Sequence, residues 1–533
     1  MTRAFGVVDL FSGPGGLGEG FSAFKASDNS RPFRLEISVE KDRAAHETLR
    51  LRSFLRKFPD DFPDEYYCWL NGELPAEPDW QALYPESWSA AEREARRLEL
   101  GTDEARLEID AEIQRVQGKY AGSTVLIGGP PCQAYSLAGR SRNAGNAKYE
   151  PSADDRHFLY REYVYVLKAL RPAIFVMENV KGLLSSSVDG DRIFNRIMKD
   201  LRNAGGNDEY QLVALSPNNV EERSDATPKP QDFILRSEQH GVPQRRHRLI
   251  VIGIRRDVAE ERTQFAVPRL TRCKAEVTVR QVLGGISPLR SGLSRNDSPQ
   301  AWQEAVVSAC SRVRKSAHSN FPSEAVEVRD VIELVSRVEH GLQPIADSGR
   351  AGPVPPVMPS SCPMLLSRWL TNKRLKRLIN HDTRGHMADD LARYLFAASF
   401  GVTMKRSPKA REFPIELAPL HKNWTSGKFA DRFRVQCWDR SATTITSHIS
   451  KDGHYFIHPD PRQVRSLTVR EAARLQTFPD DYFFKGNRTE QYVQVGNAVP
   501  PYLAYQIAAC IWESLGADYD GAQRSPLAER AFG

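Results

Sequence analysis

Apolar runs that end at turns or polar clusters recur along both ends of this 533-residue chain. Their length and their content of β-branched residues are typical of strands. The strands predicted in this way are 5–11, 33–40, 125–127, 173–177 and 249–254. Segments with helical spacing of apolar positions lie between them at 19–24, 158–170 and 192–204. Strands that alternate with helices predict an α/β fold built on a doubly wound sheet.

A glycine-rich turn, residues 12–18 (SGPGGLG), follows the first predicted strand and precedes a helix. Glycines at this position let the backbone approach a bound ligand closely. The turn differs from the dinucleotide fingerprint because Pro14 interrupts it. The second strand ends at Glu40, where an acid commonly binds ribose hydroxyls. A solvent-exposed charge is the alternative for Glu40, and the sequence leaves both open.

A second turn, residues 128–133 (GGPPCQ), follows the apolar run 125–127. It places Cys132 beyond the carboxyl end of a strand, where open α/β sheets bind their ligands. The two prolines stiffen the backbone before the thiol. A thiol held in a polar pocket can act as a nucleophile, whereas a lone cysteine is more often a small buried residue. The hexapeptide alone does not decide between these interpretations.

Further charged residues stand at the ends of two other strands. Glu178 follows the run 173–177, so that a carboxylate and a thiol are expected on the same edge of one sheet. Arg246 and Arg248 precede the run 249–254, an arrangement that favours binding of an anion. A solvated basic cluster is the alternative for the arginines.

The alternation of strands and helices is interrupted twice. Residues 55–120 are rich in proline and aromatic residues, which predicts an irregular insertion with one or two surface helices, and 138–157 predicts a mobile loop. The alternation fades over 256–440, where basic clusters lie at 373–377 and 405–411. We therefore expect a catalytic domain from 1–255 and 441–533, with a second domain inserted at 256–440.

Composition narrows the class of protein. The net charge of +7 is a mild bias toward polyanionic partners. Seven cysteines are widely spaced without a C-x-x-C pair, which argues against a disulfide framework or a zinc site. The sequence shows no signal-peptide pattern and no apolar run of the ~18 residues that would span a bilayer. We expect a soluble, cytoplasmic protein that binds no metal.

The motifs, in their order, resemble those of the DNA cytosine-5 methyltransferases of bacterial restriction–modification systems. The matching blocks are 9–16, 129–133, 178–180, 244–248, 465–471 and 494–500. The resemblance covers 1–254 and 441–533, and 256–440 lies where the family keeps its variable target-recognition domain. It implies a Rossmann-like, S-adenosylmethionine-dependent methyltransferase fold with an inserted recognition domain.

The same resemblance implies site residues and partners. The catalytic residues would be Cys132, Glu178, Arg246 and Arg248. The residues that bind S-adenosylmethionine would be Phe11, Ser12, Gly13, Gly15, Gly16, Leu17, Glu40 and Asn497. The partner would be double-stranded DNA, with a cognate restriction endonuclease acting separately. The family's acid that contacts adenine has no clear match, and Asp110 and the turn 100–102 are both candidates.

The implied reaction begins with addition of the Cys132 thiolate to C6 of a cytosine that has been flipped out of the duplex. Two alternatives share this sequence pattern. An RNA cytosine-5 methyltransferase of the eukaryotic tRNA type tends to lack a large inserted domain, so 256–440 argues against it. A DNA-binding scaffold without activity would not need Cys132, Glu178, Arg246 and Asn497 to be intact.

Overall fold

The computed structural model describes residues 4–131, 159–188, 191–207, 209–215, 228–260, 268–320, 326–342, 349–419, 424 and 432–515. Cys132 and the segment 138–157 lie outside the described residues. The strands in the described part are β1 Phe5–Leu10, β2 Phe33–Glu40, β3 Ala95–Arg97, β4 Thr124–Gly128, β5 Ile174–Val180, β6 Ser187–Val188, β7 Asp191–Arg192, β8 Tyr210–Val213, β9 Ile234–Arg236, β10 Gln244–Arg245, β11 His247–Arg255, β12 Gly292–Leu293, β13 Gly385–His386 and β14 Ala442–Thr443.

One mixed sheet organises the described strands, in the order β3-β2-β1-β4-β5-β11-β8, with β9 also paired to β11. The five strands from β3 to β5 are parallel, and β11 runs antiparallel to β5 and β8. The carboxyl ends of β1, β2, β4 and β5 therefore meet at one edge. This is the edge at which the sequence predicted the chemistry.

The helices in the described part are α1 Gly16–Ala23, α2 Arg43–Leu55, α3 Asp64–Leu70, α4 Trp80–Leu83, α5 Pro85–Glu94, α6 Asp103–Tyr120, α7 Tyr160–Leu170, α8 Ile193–Arg202, α9 Arg256–Glu260, α10 Val279–Leu283, α11 Pro299–Asn320, α12 Val326–His340, α13 Met364–Leu370, α14 Ala388–Met404, α15 Val469–Leu475, α16 Arg488–Asn497 and α17 Pro501–Leu515. Helices α1 and α17 cover one face of the sheet, and α6, α7 and α8 cover the other. The α/β fold with a doubly wound sheet is confirmed.

The insertion is more regular than its composition predicted. Helices α2 to α5 enclose an aromatic cluster around Phe54, Tyr66 and Trp80, and β3 adds a strand to the edge of the main sheet. Neither α2 nor β3 was predicted. Strand β3 is three residues long and carries two arginines, so it has no apolar run by which sequence could find it.

Within 256–440, three long helices, α11, α12 and α14, pack around Trp302, Val335 and Tyr394. The shorter helices α10 and α13 instead pack against residues of the returning segment, such as Leu475 and Phe478. The division into domains stays a prediction, because the two parts share this cluster.

The returning segment contributes helices more than strands. Among its described residues, Ala442–Thr443 forms a short strand, and Ile457 makes isolated bridges. Helix α15 begins at a capping box between Thr468 and Glu471. No helix in the described part of the chain is long and apolar enough to span a bilayer.

Candidate active site

Glu178 and Arg248 face each other at the open edge of the sheet. Nε of Arg248 lies 2.9 Å from Oε1 of Glu178, and both side chains are largely buried. The register explains the contact: Glu178 pairs with Ile250, and Arg248 lies two residues away on the same face of β11. Burial lowers the pKa of the Arg248 guanidinium, and the charge of Glu178 opposes that change. The sequence predicted both residues, but not their direct contact.

The turn before Cys132 lies directly against Glu178. A Cβ placed on Gly129 would come within 2.8 Å of Oε2 of Glu178, so only glycine allows this approach without a shift. On the other face of β5, Nδ2 of Asn179 donates to the carbonyl oxygen of Pro130 at 3.3 Å. Gly129 and Pro130, in the described part of the cysteine turn, are therefore held next to the carboxylate of Glu178.

Arg246 is placed differently from Arg248. Its Nη1 and Nη2 donate to the carbonyl oxygens of Ile445 and Gly496 at 2.7 and 3.1 Å, and the side chain is fully buried. Burial lowers the pKa of its guanidinium. Arg246 thus joins three parts of the chain, and its expected role as a catalytic residue stays a prediction.

The glycine turn after β1 is held by Glu40. Oε2 of Glu40 accepts the N–H of Gly13 at 2.8 Å, and Oε1 accepts the N–H of Asp42 at 2.7 Å. Gly13 and Gly15 have φ of 56° and 98°, in the left-handed region that glycine tolerates best. A Cβ on Gly13 would meet no atom within 4 Å, so the turn is open on that side.

Other members of the turn contribute backbone rather than side chains. Ser12 donates its hydroxyl to the carbonyl oxygen of Asp9 at 2.9 Å. Phe11 has a φ of 56° and is partly exposed at the edge. Leu17 packs into the core beneath the sheet, which leaves only its backbone to face a ligand. A Cβ on Gly16 would come within 2.3 Å of the carbonyl oxygen of Val499.

Asn497 is the last residue of α16, and residues on both sides of it make backbone contacts at the site. The carbonyl oxygen of the preceding Gly496 accepts a hydrogen bond from Arg246, and the carbonyl oxygen of Val499 lies against Gly16. Asn497 itself is exposed. The late block 494–500 therefore reaches both the glycine turn and the arginine that braces the sheet.

Asp9 is a functional candidate that sequence reasoning missed. It is fully buried at the end of β1, and neither carboxylate oxygen has a hydrogen-bond partner. Burial raises the pKa of Asp9 to about 8. In the sequence, Asp9 looks like an ordinary polar residue at the end of a strand. Only its burial in the structure distinguishes it from a solvent-exposed acid.

The two candidates for the acid that contacts adenine both lie against α7. Both oxygens of Asp110 accept the hydroxyl of Tyr165, at 2.7 and 2.8 Å. The turn 100–102 follows β3, and a Cβ on Gly101 would lie 3.8 Å from the side chain of Glu162. The choice between the two candidates therefore stays open.

These residues fit a cationic nucleoside cofactor. Each oxygen of Glu40 accepts one backbone N–H and keeps a lone pair for a hydroxyl group. The unpartnered carboxyl of Asp9 lies under the same turn, and the space at Gly13 is open. No group of three His, Cys, Asp or Glu side chains suited to a metal ion occurs among the residues that the structure describes.

Two arginines of the basic cluster 373–377 contact the insertion. Nη1 of Arg374 pairs with Oδ2 of Asp61 at 2.7 Å, its other terminal nitrogen pairs with Asp64, and its guanidinium lies 4.0 Å from the ring centroid of Tyr67. Arg377 donates to the carbonyl oxygen of Leu70 at 2.8 Å. The two lysines of the cluster are exposed, so the expectation that this cluster binds DNA stays a prediction.

The chain is similar to known proteins along most of its length. A family profile described as C-5 cytosine-specific DNA methylase matches residues 105–513. The type II methyltransferase M.Bpa9945I of Bacillus paralicheniformis is 32% identical over 95% of this chain and 98% of its own length. The type II methyltransferase M.AgeI of Thalassovita gelatinovora is 25% identical over the same shares. The solved structure of the Entamoeba histolytica methyltransferase EhMeth aligns with a TM-score of 0.41 at 12% identity, covering 97% of this chain and all of that one.

Proposed function

Since the chain belongs to the C-5 cytosine-specific DNA methylases, we propose that it methylates C5 of a cytosine within a specific double-stranded DNA sequence through a covalent bond between Cys132 and C6. The observation that carries the proposal is the Glu178–Arg248 pair beside the turn that leads to Cys132. A carboxylate and a guanidinium at the sheet edge, next to the turn that leads along the chain to Cys132, are groups that this reaction requires.

The chemistry of cytosine explains this set of groups. C5 is too weak a nucleophile to take a methyl group directly. When the Cys132 thiolate bonds to C6, the C5=C6 π electrons move into the ring and C5 becomes the nucleophilic carbon of an enamine. Removal of the C5 proton later restores the double bond and expels the thiolate.

Glu178 and Arg248 would stabilise the base during addition. Glu178, protonated or sharing a proton with N3, would offset the negative charge that develops in the ring. Arg248 would donate to the carbonyl oxygen of the base and hold Glu178 in position. Arg246 would act through the backbone that it braces.

The glycine turn would hold the methyl donor. S-adenosylmethionine would supply an electrophilic methyl group on a sulfonium. Glu40 would accept the ribose hydroxyls while it keeps the N–H of Gly13, and Asp110 or the turn 100–102 would border the adenine. Asn497, exposed beside Gly16 and Val499, would line the same pocket.

DNA recognition is assigned to 256–440. Because C5 and C6 are inaccessible inside a duplex, the base must be flipped out, which costs a few kcal/mol. The segment 256–440 carries none of the catalytic motifs and forms its own helical cluster, which supports a role in reading neighbouring bases. The expected lid, 138–157, lies outside the described residues.

The proposed biological role is that of a modification enzyme paired with a separate restriction endonuclease. It is supported by relatives that are type II methyltransferases along nearly their whole length. An RNA substrate and an inactive scaffold remain the alternatives. Family membership favours DNA, and the intact Glu178–Arg248 pair favours activity.

Bisulfite sequencing of DNA from cells that express the chain tests the function. We expect one sequence motif to become fully protected from conversion, and protection to vanish in Cys132→Ala. Glu209→Gln, which changes the half-buried partner of the exposed Arg171, is the matched control and should retain protection. Protection in Cys132→Ala, or none in the wild type with purified enzyme and cofactor, would contradict the proposal.

A further inference from the structure

Tyr482 contacts the glycine turn from the protein interior. The side chain is fully buried, and its hydroxyl donates to the carbonyl oxygen of Pro14, in the middle of the turn. A Cβ placed on Gly15 would lie 3.1 Å from the same hydroxyl. At Gly13, by contrast, a Cβ would meet no atom within 4 Å, so the turn is open there.

Arg52 joins this tyrosine to the helix that follows the turn. Its guanidinium carbon lies 4.4 Å from the ring centroid of Tyr482. Its Nη2 donates to Oε1 of Glu19, in the first turn of α1, at 2.5 Å, and its Nη1 lies 3.5 Å from Oδ1 of Asp481. All four side chains are buried, so the ion pairs are screened little by solvent.

Asp481 receives support from two other parts of the chain. Its Oδ2 accepts Nδ2 of Asn372, from the segment 256–440, at 2.8 Å. Its backbone carbonyl oxygen accepts the hydroxyl of Tyr66, from the insertion, at 2.5 Å. The pair Asp481–Tyr482 is therefore the point at which the returning segment, the insertion and the segment 256–440 meet behind the glycine turn.

We propose that Asp481 and Tyr482 are positioning residues for the cofactor turn, and that Asn372 couples them to the segment 256–440. This inference rests on the proposed binding of S-adenosylmethionine at the turn. A turn with two glycines in the left-handed region loses conformational freedom when it binds a ligand. Bonds that fix it beforehand reduce the entropy lost on binding and so raise affinity for the cofactor.

The first test compares two tyrosines with similar surroundings. Tyr482→Phe removes the bond to the turn. Tyr492→Phe is the control: Tyr492 is also fully buried, donates to a backbone carbonyl oxygen at 2.6 Å, and lies under the guanidinium of Arg384. Both variants lose one buried hydrogen bond, and we expect similar losses of stability. Only Tyr482→Phe should weaken binding of S-adenosylmethionine, by about 3- to 10-fold in calorimetry, with kcat at saturating cofactor unchanged.

The second test concerns the coupling to 256–440. Asn372→Ala removes the bond to Asp481. Asn71→Ala removes bonds to the backbone of Arg374 and Lys376, in the same segment, but touches neither Asp481 nor Tyr482. We expect Asn372→Ala to weaken cofactor binding about 2- to 3-fold and Asn71→Ala to leave it unchanged. If Tyr482→Phe does not fold, this pair decides the question.

The outcomes separate the two proposals. Equal cofactor affinity in wild type, Tyr482→Phe and Asn372→Ala would overturn the positioning role while leaving the proposed function intact. A wild-type protein that binds no S-adenosylmethionine would overturn both. A rise in KM for the cofactor that is equal in Tyr482→Phe and Tyr492→Phe would identify a general loss of stability and would also overturn the positioning role.

Discussion

Nε of Arg248 lies 2.9 Å from Oε1 of Glu178, across two antiparallel strands that bring the residues to the same face of the sheet. Both side chains are largely buried, and Gly129 allows the turn before Cys132 to approach the same carboxylate. The charge of each residue is balanced by the other. The attraction between the two side chains offsets part of the cost of burying them at a site that excludes much of the solvent.

Glu178→Gln tests the role of the carboxylate. The amide keeps the shape but cannot share a proton with N3 or balance Arg248, so we expect kcat to fall about 100-fold or more. Single-turnover methyl transfer to DNA measures this. Affinity for S-adenosylmethionine should stay within a factor of two of wild type. Wild-type kcat in Glu178→Gln would remove the residue from the reaction.

A duplex that carries 5-fluorocytosine at the target position tests covalent catalysis. After addition of Cys132 and methyl transfer, no base can remove fluorine, so protein and DNA should remain joined through denaturing electrophoresis. The adduct should require S-adenosylmethionine and should be absent in Cys132→Ser, because a hydroxyl is a far weaker nucleophile than a thiolate near neutral pH. An adduct formed by Cys132→Ser would refute the assignment of this cysteine.

Glu40→Gln should weaken the binding of S-adenosylmethionine. A hydrogen bond to an ionised carboxylate contributes about 1.5–3 kcal/mol, and the substitution also perturbs the bond that holds the N–H of Gly13. Calorimetry with Glu47→Gln as control separates this from a surface effect, because Glu47 pairs with the exposed Arg43 on α2. Equal affinity for S-adenosylmethionine in the two variants would indicate that Glu40 is a surface charge that does not bind the cofactor.

We expect the free energy of unfolding to fall as pH rises, because of Asp9. Burial raises the pKa of Asp9 to about 8, against a usual value near 4, so between these values the folded state binds one more proton than the unfolded state. Its contribution to stability is complete below about pH 4 and is lost as pH rises through 8. The dependence is at most about 1.4 kcal/mol per pH unit for one proton.

Asp9→Asn should flatten this dependence in chemical unfolding measured between pH 6 and 8. Asp257→Asn is the control. Burial raises the pKa of Asp257, but the hydrogen bond and charge of Arg255 outweigh burial and hold it below the usual value. Asp257 therefore does not titrate in this range. Identical slopes in wild type and Asp9→Asn would show that Asp9 is not the buried acid that the geometry indicates.

Arg374→Ala should leave the salt dependence of DNA binding unchanged. The guanidinium is already paired with Asp61 and Asp64 and lies over Tyr67, so it contacts protein rather than phosphate. A double-mutant cycle with Asp61→Ala should show coupling of about 0.5–1 kcal/mol in unfolding. If the slope of DNA affinity against salt concentration, both as logarithms, falls by about 1 in Arg374→Ala, the residue contacts a DNA phosphate.

The sequence by itself determined the framework of the protein. The strands at β1, β4, β5 and β11 are recognisable because each is a continuous apolar run, which burial on both faces of a sheet requires. The two turns that follow β1 and β4 are recognisable because glycine and proline restrict the backbone in distinct ways. The order of these motifs sufficed for the family, and it predicts Glu178, Arg248 and Glu40 as site residues.

Only the tertiary structure decided which charges have partners. In sequence, Arg246, Arg248 and Arg374 are equivalent basic residues, because a charge that faces solvent and one that is paired inside the protein look alike. Folding places Arg246 against backbone carbonyls, Arg248 against Glu178, and Arg374 against the insertion. These contacts join residues up to several hundred positions apart, as do those of Tyr482 with Pro14, and local periodicity carries no information about them.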